Sequence, residues 1–146
     1  MRIEIKDKDN FISMFNDMFN KNKIMKINGI TIDSRKIMEN DLFVPLKGAK
    51  FDGYNFINQI LKIKGTIALN DRNSLINNKL IIPTQSNKNT LLSLAKEWRK
   101  IINSKIISIT GSNGKTTTKD LLFHILNKEY KCSKSNGNFN SCIGLP

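Results

Sequence analysis

Residues 109–117 read ITGSNGKTT. A β-branched run, KIISIT at residues 105–110, precedes this stretch, and an amphipathic segment follows it. This order predicts a buried parallel strand, a glycine-rich turn and a helix from about Thr116 to Asn127. The apolar positions of that helix are expected to face inward: Leu121, Leu122, Ile125 and Leu126. A strand, a glycine turn and a helix in this order are the context in which a nucleotide-phosphate loop occurs.

The glycines and the lysine of this stretch match most of the phosphate-loop pattern G-x-x-x-x-G-K-[ST]. The spacing here is G-x-x-G-K-T, because Ile109 stands where the longer pattern has its first glycine. Gly111 and Gly114 would let the backbone turn through conformations that a Cβ forbids and approach a phosphate closely. The amides of residues 112–116 would then form an anion nest at the positive end of the helix. The structural alternative is a glycine-rich strand–helix turn with an incidental Gly-Lys-Thr, which the flanking elements disfavour.

Two side chains of the loop have predicted chemical roles. Lys115 is the candidate catalytic residue, because its ammonium group would reach the β- and γ-phosphates as a point charge. The hydroxyl of Thr116 is the candidate metal ligand, for Mg²⁺. The predicted nucleotide-binding residues are Thr110, Gly111, Ser112, Asn113, Gly114, Lys115 and Thr116. The loop therefore predicts a nucleoside triphosphate and Mg²⁺ as cofactors.

Upstream of the loop, helical and extended patterns alternate along the chain. The predicted helices are residues 10–19, residues 56–61 with Gly65 as a left-handed cap, and residues 87–103. The predicted strands are residues 24–32 around a turn at Asn28-Gly29, then residues 42–46, 66–69 and 80–82. The alternation predicts an α/β protein. A small mixed α/β N-terminal domain (residues 1–84) would be followed by the start of a parallel-sheet ATP-binding domain with the phosphate loop (residues 85–146).

Composition limits the classes of function. The net charge is +12, but the lysines are scattered, so general charge drift explains them better than a nucleic-acid patch. The apolar runs are far shorter than the roughly 20 residues of a membrane-spanning helix. The N-terminus lacks a signal-peptide pattern, so a cytoplasmic protein is expected. Zinc is not predicted, because Cys132, Cys142 and His124 do not have zinc-ligand spacing.

Three segments together resemble the Mur ligases, the ATP-dependent amide-forming enzymes of peptidoglycan precursor synthesis. TGSNGKTTTKD at residues 110–120 is similar to the family's ATP loop. TIDSR at 31–35, DLFVPLKG at 41–48 and FDGY at 51–54 are similar to its uridine-nucleotide-binding first domain. GNFN at 137–140 and IGLP at 143–146 are similar to a stretch of the members that add D-alanyl-D-alanine to a UDP-linked muramoyl tripeptide. Ser141-Cys142 departs from the residues that relatives often have there.

The resemblance implies a reaction and its participants. ATP would activate the carboxylate of the UDP-linked muramoyl tripeptide as an acyl phosphate, which the amine of D-alanyl-D-alanine would attack. It implies ATP and Mg²⁺ as cofactors and a role in cell-wall biogenesis, cell shape and cell division. The substrate-binding residues that it implies are Ile32, Ser34, Arg35, Ala49, Lys50, Phe51 and Asn138.

Each substrate assignment has a structural alternative that the sequence leaves open. Residues 33–35 could be a turn at a strand end, in which Asp and Ser bond local amides. Asp52-Gly53 is better explained as a turn with a helix cap, and Gly137 and Asn138 could only shape a loop.

The family has three domains, and the resemblance assigns this chain to the first domain and the opening of the central one. The chain is therefore expected to bind ATP weakly and to be inactive as a ligase alone. The alternatives are another Mur ligase of the same pathway, a non-catalytic gene remnant and, least favoured, a nucleic-acid-binding module. The oligomeric state does not follow from the sequence.

Overall fold

A computed structural model describes residues 1–20, 24–48, 51–72 and 78–135. The strands are β1 (Arg2–Glu4), β2 (Gly29–Thr31), β3 (Asp41–Phe43), β4 (Ile67–Asn70) and β5 (Ile81–Pro83). The α-helices are α1 (Lys8–Phe19), α2 (Ile57–Ile60), α3 (Asn87–Ile102) and α4 (Lys115–Leu126), and two 3-10 turns span Ser34–Lys36 and Gly53–Phe56. The residues form two compact units, Met1–Ile102 and one that begins at Asn103.

The first unit is built on one five-stranded sheet with the order β1-β2-β3-β4-β5. β1 is antiparallel to β2, and each following pair, from β2 with β3 to β4 with β5, is parallel. Because four neighbouring strands run in the same direction, their carboxyl ends meet at one edge of the sheet. The predicted α/β class is confirmed, and β1 is a strand that the sequence patterns did not predict.

Alternate strand residues point to opposite faces of the sheet, and both faces are covered by helix. One buried cluster joins β3, β4 and β5 to α1 and α3 through Leu42, Leu69, Ile82, Phe11, Phe15 and Leu94. The other joins the same strands to α2 through Phe43, Ala68, Ile81, Ile57 and Ile60. Trp98 packs edge-on against Phe11 with the ring centroids 5.3 Å apart, which ties α3 to α1. Trp98 is half-buried and packs against the first of these clusters.

Gly29 lies at the start of β2 and not in a turn, so the predicted turn at Asn28-Gly29 is wrong. The physical reason is strand pairing, because Gly29 pairs with Glu4 of β1 and with Asp41 of β3, and the close approach of β1 leaves no room for a side chain. A Cβ at Gly29 would lie 2.8 Å from the Ile3 carbonyl oxygen and 2.9 Å from Arg2 Nη2. Arg2 crosses this glycine to reach the fully buried Asp41, with Nε donating to Oδ2 at 2.7 Å and Nη2 to Oδ1 at 2.9 Å.

Among the described residues of the second unit, α4 is the regular element. The segment 105–110 is not a strand, which corrects the prediction of a buried parallel strand there. Ile106 is 52% exposed and Ile107 is 61% exposed. A strand forms only where a neighbouring segment completes its backbone hydrogen bonds, and the described residues provide no such neighbour.

The predicted helix after the loop is confirmed as α4, but its expected inward face is only partly covered. Leu122 and Leu126 are half-buried, whereas Leu121 and Ile125 remain 60% and 64% exposed. The division into sequence domains at residues 84 and 85 stays a prediction. In the structure α3 belongs to the first unit, which continues to Ile102. No helix in the described ranges is long and apolar enough to cross a membrane.

Candidate functional site

The loop before α4 has backbone conformations that require its two glycines. Gly111 has φ 149° and Gly114 has φ 77°, both in the region that side chains with a Cβ rarely adopt. Gly114 is the N-cap of α4, and the helix begins at Lys115. The residue types therefore determine the turn, because glycine lets the chain reverse into the helix start.

The amino end of α4 is suited to an anion. The first amides of a helix have no intrahelical acceptor and lie at the positive end of its dipole. The first turn of α4 contains no acidic residue, so no carboxylate of that turn offsets the positive potential. Residues 111–114 are exposed, which leaves the turn accessible to a ligand.

The Lys115 side chain folds back over the loop. Its Nζ donates to the carbonyl oxygen of Gly111 and, at 3.3 Å, to that of Ser112. The side chain is half-buried, and these two contacts place its ammonium group at the loop. A phosphate oxygen could replace these carbonyl contacts and receive a charge-assisted hydrogen bond in exchange.

Thr116 is the second residue of α4 and is exposed. Its hydroxyl is an oxygen donor of the kind that Mg²⁺ accepts when the phosphates and water provide the other ligands. Within the described ranges there is no group of three or more His, Cys, Asp and Glu residues that could hold a metal ion. A phosphate-borne Mg²⁺ with Thr116 as one ligand fits these residues, and the assignment stays a prediction.

The second candidate region lies where the parallel strands end. Ligands of open α/β sheets bind outside the carboxyl ends of the strands, and the predicted substrate residues Ile32, Ser34 and Arg35 follow β2 directly. The Ile32 side chain packs against the core cluster, whereas Ser34 is half-buried and Arg35 exposed. Of these three residues, Ser34 and Arg35 are therefore better placed to meet a ligand through their side chains.

Asp33 has a local structural role in this segment. Its carboxylate accepts from the Arg35 amide at 3.2 Å and from Arg35 Nε at 2.9 Å. The Arg35 guanidinium lowers the pKa of Asp33 to about 2. Asp33 therefore stabilises a turn at the strand end, which was the structural alternative for residues 33–35. Ligand roles for Ser34 and Arg35 stay predictions.

Three other predicted substrate residues, Ala49, Lys50 and Phe51, follow β3 in the sequence. Phe51 is 77% exposed, and its carbonyl oxygen accepts from the Gly48 amide at 2.8 Å. Ala49, Lys50 and Asn138 lie outside the described residues, as do the GNFN and IGLP segments.

The turn that follows this loop has the predicted cap. Asp52 Oδ1 accepts from the Tyr54 amide at 3.0 Å. A Cβ at Gly53 would lie 3.0 Å from the Leu46 amide nitrogen and 3.1 Å from its carbonyl oxygen. The prediction of a turn with a helix cap at Asp52-Gly53 is confirmed.

Sequence reasoning missed a polar network at the same edge. The Tyr54 hydroxyl donates to Asp71 Oδ1 and accepts from the side-chain amide of the fully buried Asn87 at 3.1 Å. Arg72 lies 3.6 Å above the Tyr54 ring and donates to Asp52 Oδ2 at 2.9 Å. The sequence does show the polar pair Asp71-Arg72 directly after a buried strand, which could have suggested a site. The residues that this pair contacts, Asp52 and Tyr54, are remote in sequence.

Comparison with known proteins places this geometry in a family. The model of the Mur ligase family, catalytic domain, matches residues 26–105, and that of the Mur ligase middle domain matches residues 109–146. UDP-N-acetylmuramoyl-tripeptide–D-alanyl-D-alanine ligase from Bacillus subtilis (strain 168) is 41% identical over 123 residues, covering 82% of this chain and 27% of the relative. The ligase of the same name from Borreliella burgdorferi is 35% identical, covering 100% of this chain and 34% of the relative.

Solved structures agree with these relatives. The crystal structure of MurF ligase from Thermotoga maritima in complex with ADP has a TM-score of 0.72 at 34% identity, covering 80% of this chain and 27% of that one. Crystal structure II of MurF from Acinetobacter baumannii has a TM-score of 0.75 at 28% identity, covering 90% and 30%. The chain spans about a quarter to a third of the length of the curated relatives named above. By its matching domains and this shared fold, the chain belongs to the Mur ligase family.

Proposed function

We propose that this chain contributes the UDP-substrate-binding domain and the ATP phosphate loop of a ligase. That ligase adds D-alanyl-D-alanine to UDP-N-acetylmuramoyl-tripeptide in peptidoglycan precursor synthesis. The main support is the accessible glycine turn at residues 111–114, with the Lys115 ammonium over it and the amino end of α4 behind it. Relatives with the name of this ligase extend the same assignment to the first unit.

The proposed reaction has two steps. The terminal carboxylate of the tripeptide attacks the γ-phosphorus of ATP, forming an acyl phosphate and releasing ADP. The amine of D-alanyl-D-alanine then attacks the acyl carbon, an amide bond forms, and phosphate leaves. Both steps bring anionic groups together, so positioning and electrostatic stabilisation dominate the work of the protein.

The residues of this chain would hold the phosphates and the metal. The amides of residues 112–116 and the Lys115 ammonium would bind the ATP phosphates, which places positive charge where negative charge develops. Mg²⁺ would be held by the phosphates and the Thr116 hydroxyl, and it would neutralise phosphate charge when bound.

The substrate side of the proposal concerns the carboxyl edge of the sheet. Ser34, Arg35 and the loop with Phe51 would meet the uridine nucleotide, with Ala49 and Lys50 in the same loop. Ile32 would contribute through its backbone, and Asn138 would contact substrate or the metal shell. The proposed setting is the cytoplasm, with effects on cell-wall biogenesis, cell shape and cell division; no nucleic-acid or membrane partner is proposed.

Binding of Mg-ADP to the 146-residue chain tests the loop. We expect Lys115→Met to weaken binding roughly tenfold or more, because a charge-assisted hydrogen bond contributes about 1.5–3 kcal/mol. The matched control is Lys128→Met, since Lys128 is an exposed lysine of the same unit beyond the end of α4. Calorimetric titration of the three proteins gives the affinities, and equal affinity of wild type and Lys115→Met would contradict the proposal.

Turnover is a separate measurement. The chain spans 27% of the Bacillus subtilis relative, so we expect the 146 residues alone to bind nucleotide and to release no phosphate with both substrates and Mg-ATP. Phosphate release that disappears in Lys115→Met would show that the chain alone is an active ligase.

A further inference from the structure

Tyr54, Asp71 and Asn87 form a hydrogen-bonded set that we call the Tyr54 network. The Tyr54 hydroxyl donates to Asp71 Oδ1, and Asn87 Nδ2 donates to the hydroxyl oxygen at 3.1 Å. The backbone amide of Asn87 donates to Asp71 Oδ2 at 2.9 Å. Burial and the contact with Asp71 raise the pKa of Tyr54, so the hydroxyl stays protonated and remains a donor.

The side chain of Asn87 is held in place by hydrogen bonds of its own. It is fully buried, and its Nδ2 also donates to the carbonyl oxygens of Pro45 at 3.0 Å and Leu69 at 3.4 Å. Its Oδ1 accepts from the Thr84 hydroxyl at 2.7 Å. A buried amide whose donors and acceptor are all used is held in one orientation. It therefore presents Nδ2 to Tyr54 in a defined direction.

The network joins three segments at the carboxyl edge of the sheet. Asn87 begins α3, Asp71 directly follows β4, and Tyr54 lies in the 3-10 turn Gly53–Phe56. That turn follows the described residues Lys47, Gly48, Phe51 and Asp52, which together we call the substrate loop. The Tyr54 hydroxyl thus links Asp71 after β4 and Asn87 of α3 to the turn that follows the substrate loop.

Several contacts transmit this anchoring into the substrate loop. The Gly53 amide donates to the Leu46 carbonyl oxygen at 3.1 Å, and the Gly48 amide to that of Phe51 at 2.8 Å. Lys47 pairs with Asp52 in an isolated antiparallel bridge. Arg72 also fixes Asp52 and the Tyr54 ring, because its guanidinium stacks on that ring and donates a hydrogen bond to Asp52 Oδ2. A shift of the Tyr54 ring would therefore move both ends of the loop.

We propose that Tyr54 and Asn87 are positioning residues, which hold the substrate loop in the conformation that binds the uridine diphosphate part of the substrate. Neither residue needs to touch the nucleotide. Their effect reaches it through the loop that contains Phe51. This inference rests on the proposed function, because it takes the substrate loop as the nucleotide-binding segment.

Tyr54→Phe isolates the hydroxyl, since the ring and its stacking with Arg72 are kept. We expect the dissociation constant for UDP to rise about 5-fold, within the few-fold to tenfold range of one net hydrogen bond. The affinity for Mg-ADP is expected to stay unchanged, because the phosphate loop belongs to the second unit. The matched control is Tyr130→Phe, which removes a hydroxyl from a tyrosine that is 68% exposed.

Two further measurements separate positioning from a general loss of stability. In Tyr54→Phe, hydrogen exchange is expected to accelerate at the Gly48 and Gly53 amides while the β4 amides keep their protection. Thr84→Val removes only the hydroxyl that orients Asn87, so a smaller UDP effect of the same sign, about 2-fold, is expected. Thr84 is preferred to Asn87 for this test, because replacing the fully buried Asn87 would remove several hydrogen bonds at once.

The outcomes distinguish this inference from the proposed function. If wild type binds UDP and Tyr54→Phe binds it equally well, the positioning role is wrong and the proposed function stands. Equal acceleration of exchange across the whole first unit would also overturn the inference, because it would show a structural role alone. If the folded wild-type chain does not bind UDP, the proposed nucleotide role of the first unit fails, and the inference fails with it.

Discussion

The first unit has a buried apolar core, whereas residues 103–135 of the second unit contain no buried residue. Phe15, Phe43, Leu42 and Leu69 are fully buried between the sheet and its helices. In α4, Leu121 and Ile125 lie one helical turn apart but are 60% and 64% exposed. An amphipathic pattern therefore predicts a helix and its apolar face, but burial of that face depends on what packs against it.

A truncation in the core should show the largest difference between the units. We expect Phe15→Ala to lower the free energy of unfolding by about 3–5 kcal/mol, because it removes a fully buried ring and leaves a cavity. Phe123→Ala is the matched control in α4, where the ring is half-buried. It should lower the free energy of unfolding of the first unit by less than about 0.5 kcal/mol. Urea unfolding followed by the fluorescence of Trp98, the single tryptophan, reports the first unit. A similar loss of unfolding free energy in both variants would contradict the difference in packing between the two units.

Hydrogen exchange measures the difference in local stability between the two units without a mutation. We expect the amides of β3 and β4 to exchange at least about 100-fold more slowly than those of α4, a difference of about 2.7 kcal/mol in opening free energy. The reason is that a helix of 12 residues is marginal in water unless its apolar face is packed. Mass spectrometry of exchanged peptides measures both regions in one sample. Equal protection would show that α4 is stabilised by contacts beyond those described.

A small effect of pH is expected at the sheet edge of the first unit. The pKa of Asp33 is lowered to about 2, so the ionised carboxylate stabilises the fold above its unfolded pKa of about 3.9. This contribution is lost as the pH falls from about 4 towards 2. It should stay below about 1 kcal/mol, because the Arg35 side chain is 85% exposed and its ion pair is screened.

Comparing wild type with Asp33→Asn measures this contribution. The urea midpoint of wild type should fall slightly more than that of the variant between pH 5 and pH 2, with Trp98 as the probe. A parallel fall in both proteins would mean that the Asp33–Arg35 pair adds nothing to stability.

Local features of the chain were predictable from sequence to different degrees. The helices α1, α3 and α4 and the turn at Gly111–Gly114 follow from residues within a few positions of one another. The Asp52 cap was predictable for the same reason, since its acceptor serves an amide two residues away. By contrast, β1 was missed, because Arg2–Glu4 becomes a strand only by pairing with residues 29–31.

The two candidate sites also differ in how far they could be predicted from the sequence. Lys115 and the two loop glycines were identified from residue type and spacing, and the structure places them together. The Tyr54 network was missed, because no pattern in the sequence relates Tyr54 to Asn87, 33 residues away. Residues 105–110 show the opposite error, since a β-branched run that favours a strand remains unpaired among the described residues.

The glycine turn, the lysine beside it, the main helices and the membership of a ligase family could be inferred from the sequence, because these features depend on residue type and short spacing. The order of the strands, the burial of Asn87 and the exposure of the α4 face could be seen only in the folded chain. Those features depend on contacts between segments far apart in the chain, which exist only after the backbone has folded and its hydrogen bonds have found partners.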